Sequence, residues 1–239
     1  MTTQEDVNIP FGEREIPASL ALPDSGAAPR PGVVVIHELL GLNDDIRRIT
    51  RRFADSGYVA VAPDLFAGLG PMPICIVRTF AALRQGGGSV LEAIEASRAW
   101  LAERPEADAS KIGVAGFCMG GGFALLMGAE SKVAVAATFY GDVPDSADDL
   151  RDACPVIAGY GGRDRLFANS GRRLKRLLDD VGVSNDVKIY DDAGHGFMSH
   201  HSGLVARIGA VSPLHTGYNE PAAEDSWSRM LGFFAQHLG

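Results

Sequence analysis

The sequence is poor in basic residues and in long apolar runs. Its 239 residues contain 22 Lys and Arg against 30 Asp and Glu, a formal net charge of -8. Binding to nucleic acid or to an anionic membrane surface needs an excess of positive charge, so we expect neither. No segment approaches the roughly 18 consecutive apolar residues of a membrane-spanning helix. A small-molecule substrate is therefore the expected partner, and the sequence leaves the oligomeric state open.

Cysteine is also scarce, since Cys75, Cys118 and Cys154 are the three in the chain. An odd number without the short spacings of a zinc site predicts neither a disulfide framework nor a bound metal. The stretch Met1–Asn8 is polar and acidic and lacks the basic, then apolar, pattern of a secretory signal. These features predict a cytoplasmic protein with at least one free thiol.

Short apolar runs that end in Gly, Pro or Asp alternate with segments of helical period. This alternation predicts a single α/β domain over residues 1–239, built on a doubly wound, mostly parallel sheet. Active sites in such sheets form at the carboxyl ends of the strands. The predicted strands are Glu5–Pro10, Glu13–Leu22, Gly32–His37, Tyr58–Ala62, Ile112–Ala115, Val133–Tyr140, Pro155–Tyr160 and Asp186–Tyr190.

Helical periodicity is found after Asn43, a candidate cap, and again near residues 90–101, 123–129, 174–181 and 227–238. Two segments, 66–88 and 198–218, fit no regular element well. Irregular segments of this length are often lids or binding loops, but surface insertions without a role explain them equally well.

The most informative stretch is Gly116-Phe117-Cys118-Met119-Gly120, which follows a predicted buried strand and precedes a helical segment. Hydrolases with a G-x-S-x-G elbow present their nucleophile on such a strained turn, and here Cys replaces Ser. A thiol at a helix N-terminus is favoured as thiolate. The Met119 amide then becomes a candidate oxyanion-hole donor. Alternatively, the glycines only permit close strand–helix packing.

A catalytic triad also needs an acid and a base, in that order, after later strands. Asp164 follows the strand Pro155–Tyr160, and His195 follows the strand that ends at Tyr190. Each alone has an ordinary explanation, as a turn Asp or a loop His. Their order predicts a triad with Cys118, and His37 is a less favoured base. The remaining histidines, His200, His201, His215 and His237, are interpreted as loop or helix-surface residues.

Three segments together resemble the dienelactone hydrolase family of the α/β-hydrolase superfamily: residues 36–43, the elbow at 116–121 and the turn at 193–197. The resemblance runs from about Val33 to the C-terminus. It implies an eight-stranded α/β-hydrolase fold without a cofactor, in which Cys118 attacks an ester or lactone carbonyl. By the same resemblance, His195 transfers protons and Asp164 orients its imidazole.

The resemblance also assigns roles around this triad. Glu38 matches the family's second carboxylate, which helps to convert the thiol to thiolate, and the Leu39 amide is the second oxyanion-hole donor. The family's arginine shortly after the catalytic His is missing here, where Ser199 stands in that region. Arg207 is a possible substitute. The residues assigned to substrate binding are Arg78, Arg84, Tyr140 and Phe197.

Two functions follow from this sequence. The first is a carboxylic-ester or lactone hydrolase that works through a Cys118 thiolate and an acyl-enzyme. The second is a non-hydrolytic module of the same fold that binds a ligand or senses oxidants through Cys118. A resolving thiol would strengthen the sensing hypothesis, and Cys75 is a better candidate for that role than Cys154.

Overall fold

A computed structural model of the chain describes residues 1–24, 29–68, 79, 81–83, 86–201 and 203–239. All eight predicted strands are confirmed, with ends that differ by a few residues. They are β1 (Thr3–Phe11), β2 (Arg14–Leu22), β3 (Arg30–Ile36), β4 (Val59–Pro63), β5 (Ala107–Phe117), β6 (Val135–Phe139), β7 (Val156–Gly161) and β8 (Asn185–Tyr190).

The strands form one sheet in the order β1-β2-β4-β3-β5-β6-β7-β8. The first two strands form an antiparallel hairpin, and β2 also pairs antiparallel with β4. The other neighbours pair in parallel. The chain therefore has the predicted α/β-hydrolase architecture, a mostly parallel sheet flanked by helices.

The predicted helical segments are confirmed too. Asn43 caps the first helix as expected, because its side chain accepts a hydrogen bond of 3.0 Å from the Ile46 amide. The described helices are α1 (Asp44–Asp55), α2 (Gly88–Ala102), α3 (Met119–Ala129), α4 (Ala168–Asp180), α5 (Gly203–Val211) and α6 (Glu220–Leu238). No helix among the described residues is long and apolar enough to span a membrane.

The central strands are continuous apolar runs because helices cover both faces of the sheet. Along β3, Val34 and Ile36 face a core that includes residues of α2 and α3. Val33 and Val35 face the opposite core, which contains apolar residues of α1 and α6. Packing on both sides fixes the strands, and thereby the loops that leave their carboxyl ends.

The two segments without a predicted element differ in outcome. The segment 198–218 contains α5, whose short apolar stretch was obscured by the surrounding glycines and polar residues. Much of 66–88 lies outside the described residues, and so do three residues considered above, Cys75, Arg78 and Arg84.

Candidate active site

Cys118 occupies the turn between β5 and α3, as the motif predicts. Its backbone has a φ of 54° and a ψ of -119°, in a region that is unfavourable for a residue with a side chain. The neighbouring glycines make this turn possible. A Cβ atom on Gly116 would lie 2.0 Å from the Gly120 carbonyl oxygen, and one on Gly120 would lie 2.4 Å from the Ile36 oxygen. The thiol is thus presented on a tight turn, where it is partly exposed.

His195 and Asp164 are brought together at the carboxyl ends of β8 and β7. The imidazole Nδ1 of His195 lies 2.7 Å from the Oδ2 atom of Asp164. The other carboxylate oxygen of Asp164 accepts hydrogen bonds from the amides of Leu166 and Phe167, at 3.0 and 3.1 Å. Asp164 is fully buried. Both of its oxygens are therefore hydrogen-bonded, one to the imidazole and one to amides at the start of α4.

The imidazole of His195 also interacts with Cys118. Burial lowers the pKa of His195, but hydrogen bonds with Asp164 and Cys118, together with the negative charges of both, raise it to about 10. His195 is therefore favoured as the imidazolium beside Cys118. Cys118, His195 and Asp164 thus form a connected set in the order that a triad requires.

The amides of Leu39 and Met119 are available at this site. Neither donates a hydrogen bond to another group in the part of the chain that the structure describes. Met119 is the first residue of α3, where amides have no partner within the helix. The sequence assigned both amides to an oxyanion hole, and their unpaired state is what that role requires.

His37 fixes the segment that carries Glu38 and Leu39. Its ring is fully buried, with Nδ1 donating to the Glu38 carbonyl oxygen at 2.7 Å and Nε2 accepting from the Leu65 amide at 3.0 Å. Burial lowers the pKa of His37. Because both ring nitrogens have structural partners, His37 is not available as the base. This agrees with the sequence analysis, which favoured His37 less than His195 as the base.

Glu38 is almost completely buried, with 6% of its surface exposed. Ser199 donates to its Oε1 atom at 2.7 Å, and Nε2 of His201 lies 3.2 Å from its Oε2 atom. Sequence reasoning missed both residues. His201 lies in a loop, as interpreted from the sequence, but its side chain is mostly buried against this carboxylate.

The residues assigned to substrate binding lie in different environments. Tyr140 and Phe197 are fully buried, with Tyr140 packed between the rings of His195 and Phe197. Their rings pack in the core next to the imidazole of His195 and present no exposed surface to a ligand. Arg207 is exposed on α5, and Arg78 and Arg84 lie outside the described residues.

Cys154 lies apart from the site in the core. Its thiol is 3.3 Å from the position that a Cβ on Gly128 would take, and burial raises its pKa to about 12. Cys154 is therefore a packed, unreactive thiol, as its place before a buried strand indicated. Among the described residues, no cluster of His, Cys, Asp and Glu has the arrangement of a metal site.

Comparison with known proteins identifies the family. The dienelactone hydrolase family profile matches residues 16–238. This chain belongs to the dienelactone hydrolase family. The family's fold is the one described above, and the chain is accordingly a hydrolase of the ester and lactone class.

Several relatives align over nearly the whole chain. A protein of Salmonella typhimurium, provisionally named carboxymethylenebutenolidase, is 30% identical over 97% of this chain and 87% of its own length. The carboxymethylenebutenolidase of Rhodococcus opacus is 28% identical over 95% and 88%, respectively. Among solved structures, the dienelactone hydrolase-like promiscuous phosphotriesterase P91 from metagenomic libraries superimposes with a TM-score of 0.83. It is 25% identical and covers 100% of this chain and 99% of its own.

Proposed function

We propose that this protein hydrolyses carboxylic esters or lactones through a thiolate nucleophile on Cys118. The observation that carries the proposal is the hydrogen bond between Asp164 and His195, whose imidazole interacts with the Cys118 thiol on its strained turn. A buried packing cysteine would need neither the strained backbone nor an imidazole held by a carboxylate.

The first half of the reaction forms an acyl-enzyme. The Cys118 thiolate attacks the carbonyl carbon, and the electron pair of the C=O bond moves to the oxygen, which the Leu39 and Met119 amides stabilise. When the intermediate collapses, the bond to the leaving oxygen breaks and that oxygen takes the proton from the His195 imidazolium. The products are a thioester and an alcohol, which stay joined when the substrate is a lactone.

The second half consumes water. Neutral His195 now takes a proton from a water molecule, whose hydroxide adds to the thioester carbonyl. Collapse of this intermediate releases the carboxylic acid and restores the thiolate beside the imidazolium. Asp164 stabilises the positive charge on the imidazole throughout and holds its Nδ1 proton.

His195 enters the cycle as the imidazolium, and Glu38 supports formation of the thiolate by accepting the thiol proton before attack and returning it to the sulfur after turnover. Two observations support a position of its carboxylate close to the proposed nucleophile. The backbone next to Glu38 packs on the elbow, since a Cβ on Gly120 would lie 2.7 Å from the His37 oxygen. Negative charge at both Glu38 and Cys118 acts, together with burial, to raise the pKa of Tyr140.

The substrate is a small molecule with an ester or lactone carbonyl. The relatives named carboxymethylenebutenolidase indicate a lactone, and the phosphotriesterase relative makes a neutral phosphotriester a useful further probe. The substrate preference is defined by comparing turnover of p-nitrophenyl acetate, dihydrocoumarin and paraoxon. Where an analogue that bears a carboxylate exists, it is assayed beside its parent compound.

The decisive experiment removes the nucleophile and the base separately. We expect Cys118→Ala and His195→Ala to lower kcat/KM for p-nitrophenyl acetate by roughly a thousandfold or more, while the melting temperature changes little. Cys154→Ala is the matched control, because it removes a thiol distant from the triad and should leave turnover intact. A short incubation of the wild-type enzyme with the ester should also add one acyl group to Cys118, detected by mass spectrometry. Undiminished turnover in Cys118→Ala would refute the mechanism.

A further inference from the structure

The buried carboxylate of Glu38 has an unusual set of partners. Ser199 and His201 each contact one of its oxygens, at 2.7 and 3.2 Å. No arginine or lysine pairs with it in the described ranges of the chain. A carboxylate removed from water needs polar contacts at its oxygens, so these two side chains hold Glu38 in place.

The Ser199 hydroxyl links Glu38 to a second buried group. Its oxygen lies 3.0 Å from the Tyr140 hydroxyl, while its own proton is directed to Glu38. Tyr140 therefore donates to Ser199 and Ser199 donates to Glu38. This chain of donors has one direction, and it ends on the carboxylate.

Helix α1 holds the segment that carries Ser199 and His201. Arg48 donates to the Met198 carbonyl oxygen at 3.2 Å, and Asp45 accepts from the His200 amide at 3.1 Å. Arg48 and Asp45 are themselves paired at 2.8 Å. These contacts with α1 fix the backbone of the segment, while its side chains at 199 and 201 contact Glu38.

We propose that Ser199 and His201 are positioning residues that hold the Glu38 carboxylate in the correct orientation beside the Cys118 thiol. This inference rests on the proposed function, in which Glu38 accepts the thiol proton. A carboxylate that loses one of its two polar contacts is freer to rotate, and its oxygens are then less often placed to take that proton.

The role of His201 predicts a specific kinetic signature. We expect His201→Ala to lower kcat by roughly tenfold, because it removes one of the two polar contacts that orient the Glu38 carboxylate. KM should stay nearly unchanged, since His201 acts through Glu38. His201→Gln should recover part of the loss, because its amide can donate to the same oxygen. His200→Ala is the control, because its ring stacks on Tyr218 instead.

A double-mutant cycle tests whether His201 acts through Glu38. In a Glu38→Gln background, His201→Ala should cause no further loss of kcat, because the group that it positions has been replaced. An equal loss in both backgrounds would overturn the proposal, and so would a His201→Gln enzyme as impaired as His201→Ala. Melting temperatures of all variants separate these effects from unfolding.

The same variants distinguish failure of this inference from failure of the proposed function. If Glu38→Gln has wild-type turnover and Cys118→Ala is inactive, then Glu38 and its two partners have no role in the reaction, and the thiolate mechanism is retained. Turnover in Cys118→Ala would instead overturn the mechanism itself.

Discussion

Asp164→Asn isolates the contribution of a single charge to the triad, because the structure dictates how the new amide must lie. The carboxylate oxygen Oδ1 accepts from two backbone amides, of Leu166 and Phe167. The amide oxygen of Asn will keep that place, since the reverse orientation would point its NH2 group at two N–H donors. The NH2 group then faces Nδ1 of His195, which must become an acceptor and carry its proton on the other nitrogen.

The expected loss in kcat is about 10³- to 10⁴-fold, or roughly 4 to 5.5 kcal/mol of transition-state stabilisation. A second effect concerns pH. The hydrogen bond to Asp164 helps to raise the pKa of His195 to about 10, so the imidazolium needed as the acid is lost as the pH rises through that value. Without the carboxylate, the imidazolium is lost at a lower pH. The alkaline limb of kcat/KM, near pH 10 in the wild type, should therefore move towards neutrality.

The assay is hydrolysis of p-nitrophenyl acetate between pH 6 and pH 10.5, corrected for spontaneous hydrolysis of the ester. Asp192→Asn is the matched control, since Asp192 is exposed in the loop before His195 and its side chain has no hydrogen-bond partner among the described residues. Turnover of Asp164→Asn within tenfold of wild type, with an unmoved alkaline limb, would refute the reasoning.

Two further predictions concern the elbow and its thiol. Gly116→Ala places a methyl group 2.0 Å from the Gly120 oxygen, where backbone must move, so we expect loss of turnover and a lower melting temperature, whereas Gly232→Ala, with open space around its Cβ, should be tolerated. Iodoacetamide at pH 7.5 should alkylate Cys118 far faster than Cys154, whose pKa is about 12, and peptide mapping that finds equal labelling would contradict this assignment.

Most of the fold could be predicted because its central strands are buried on both faces. Such strands are uniform apolar runs with sharp ends, as in Val33–Ile36, and the sequence marks them clearly. The start of β5 could not be located in this way, since Ala107–Lys111 is mainly polar and its pairing depends on β3. Strand pairing between distant segments is not visible in local periodicity.

The proposed triad residues were predictable for a related reason. Cys118, Asp164 and His195 each lie within about five residues of the end of a strand, so the sheet fixes their positions and chain order reveals them. Ser199 and His201 lie farther beyond the end of β8, and their positions depend on contacts with α1. The local sequence gives no indication of such contacts. The missing arginine draws attention to this region but does not indicate a contact with Glu38.

The strained backbone at Cys118 sets stability against activity in this protein. A non-glycine residue at a φ of 54° costs on the order of 1–3 kcal/mol, which a glycine at this position would avoid. Selection for thermal tolerance alone would therefore favour replacement of the proposed nucleophile and yield an inactive protein. Engineering of this scaffold should screen for turnover at every round and seek its added stability at positions remote from the elbow.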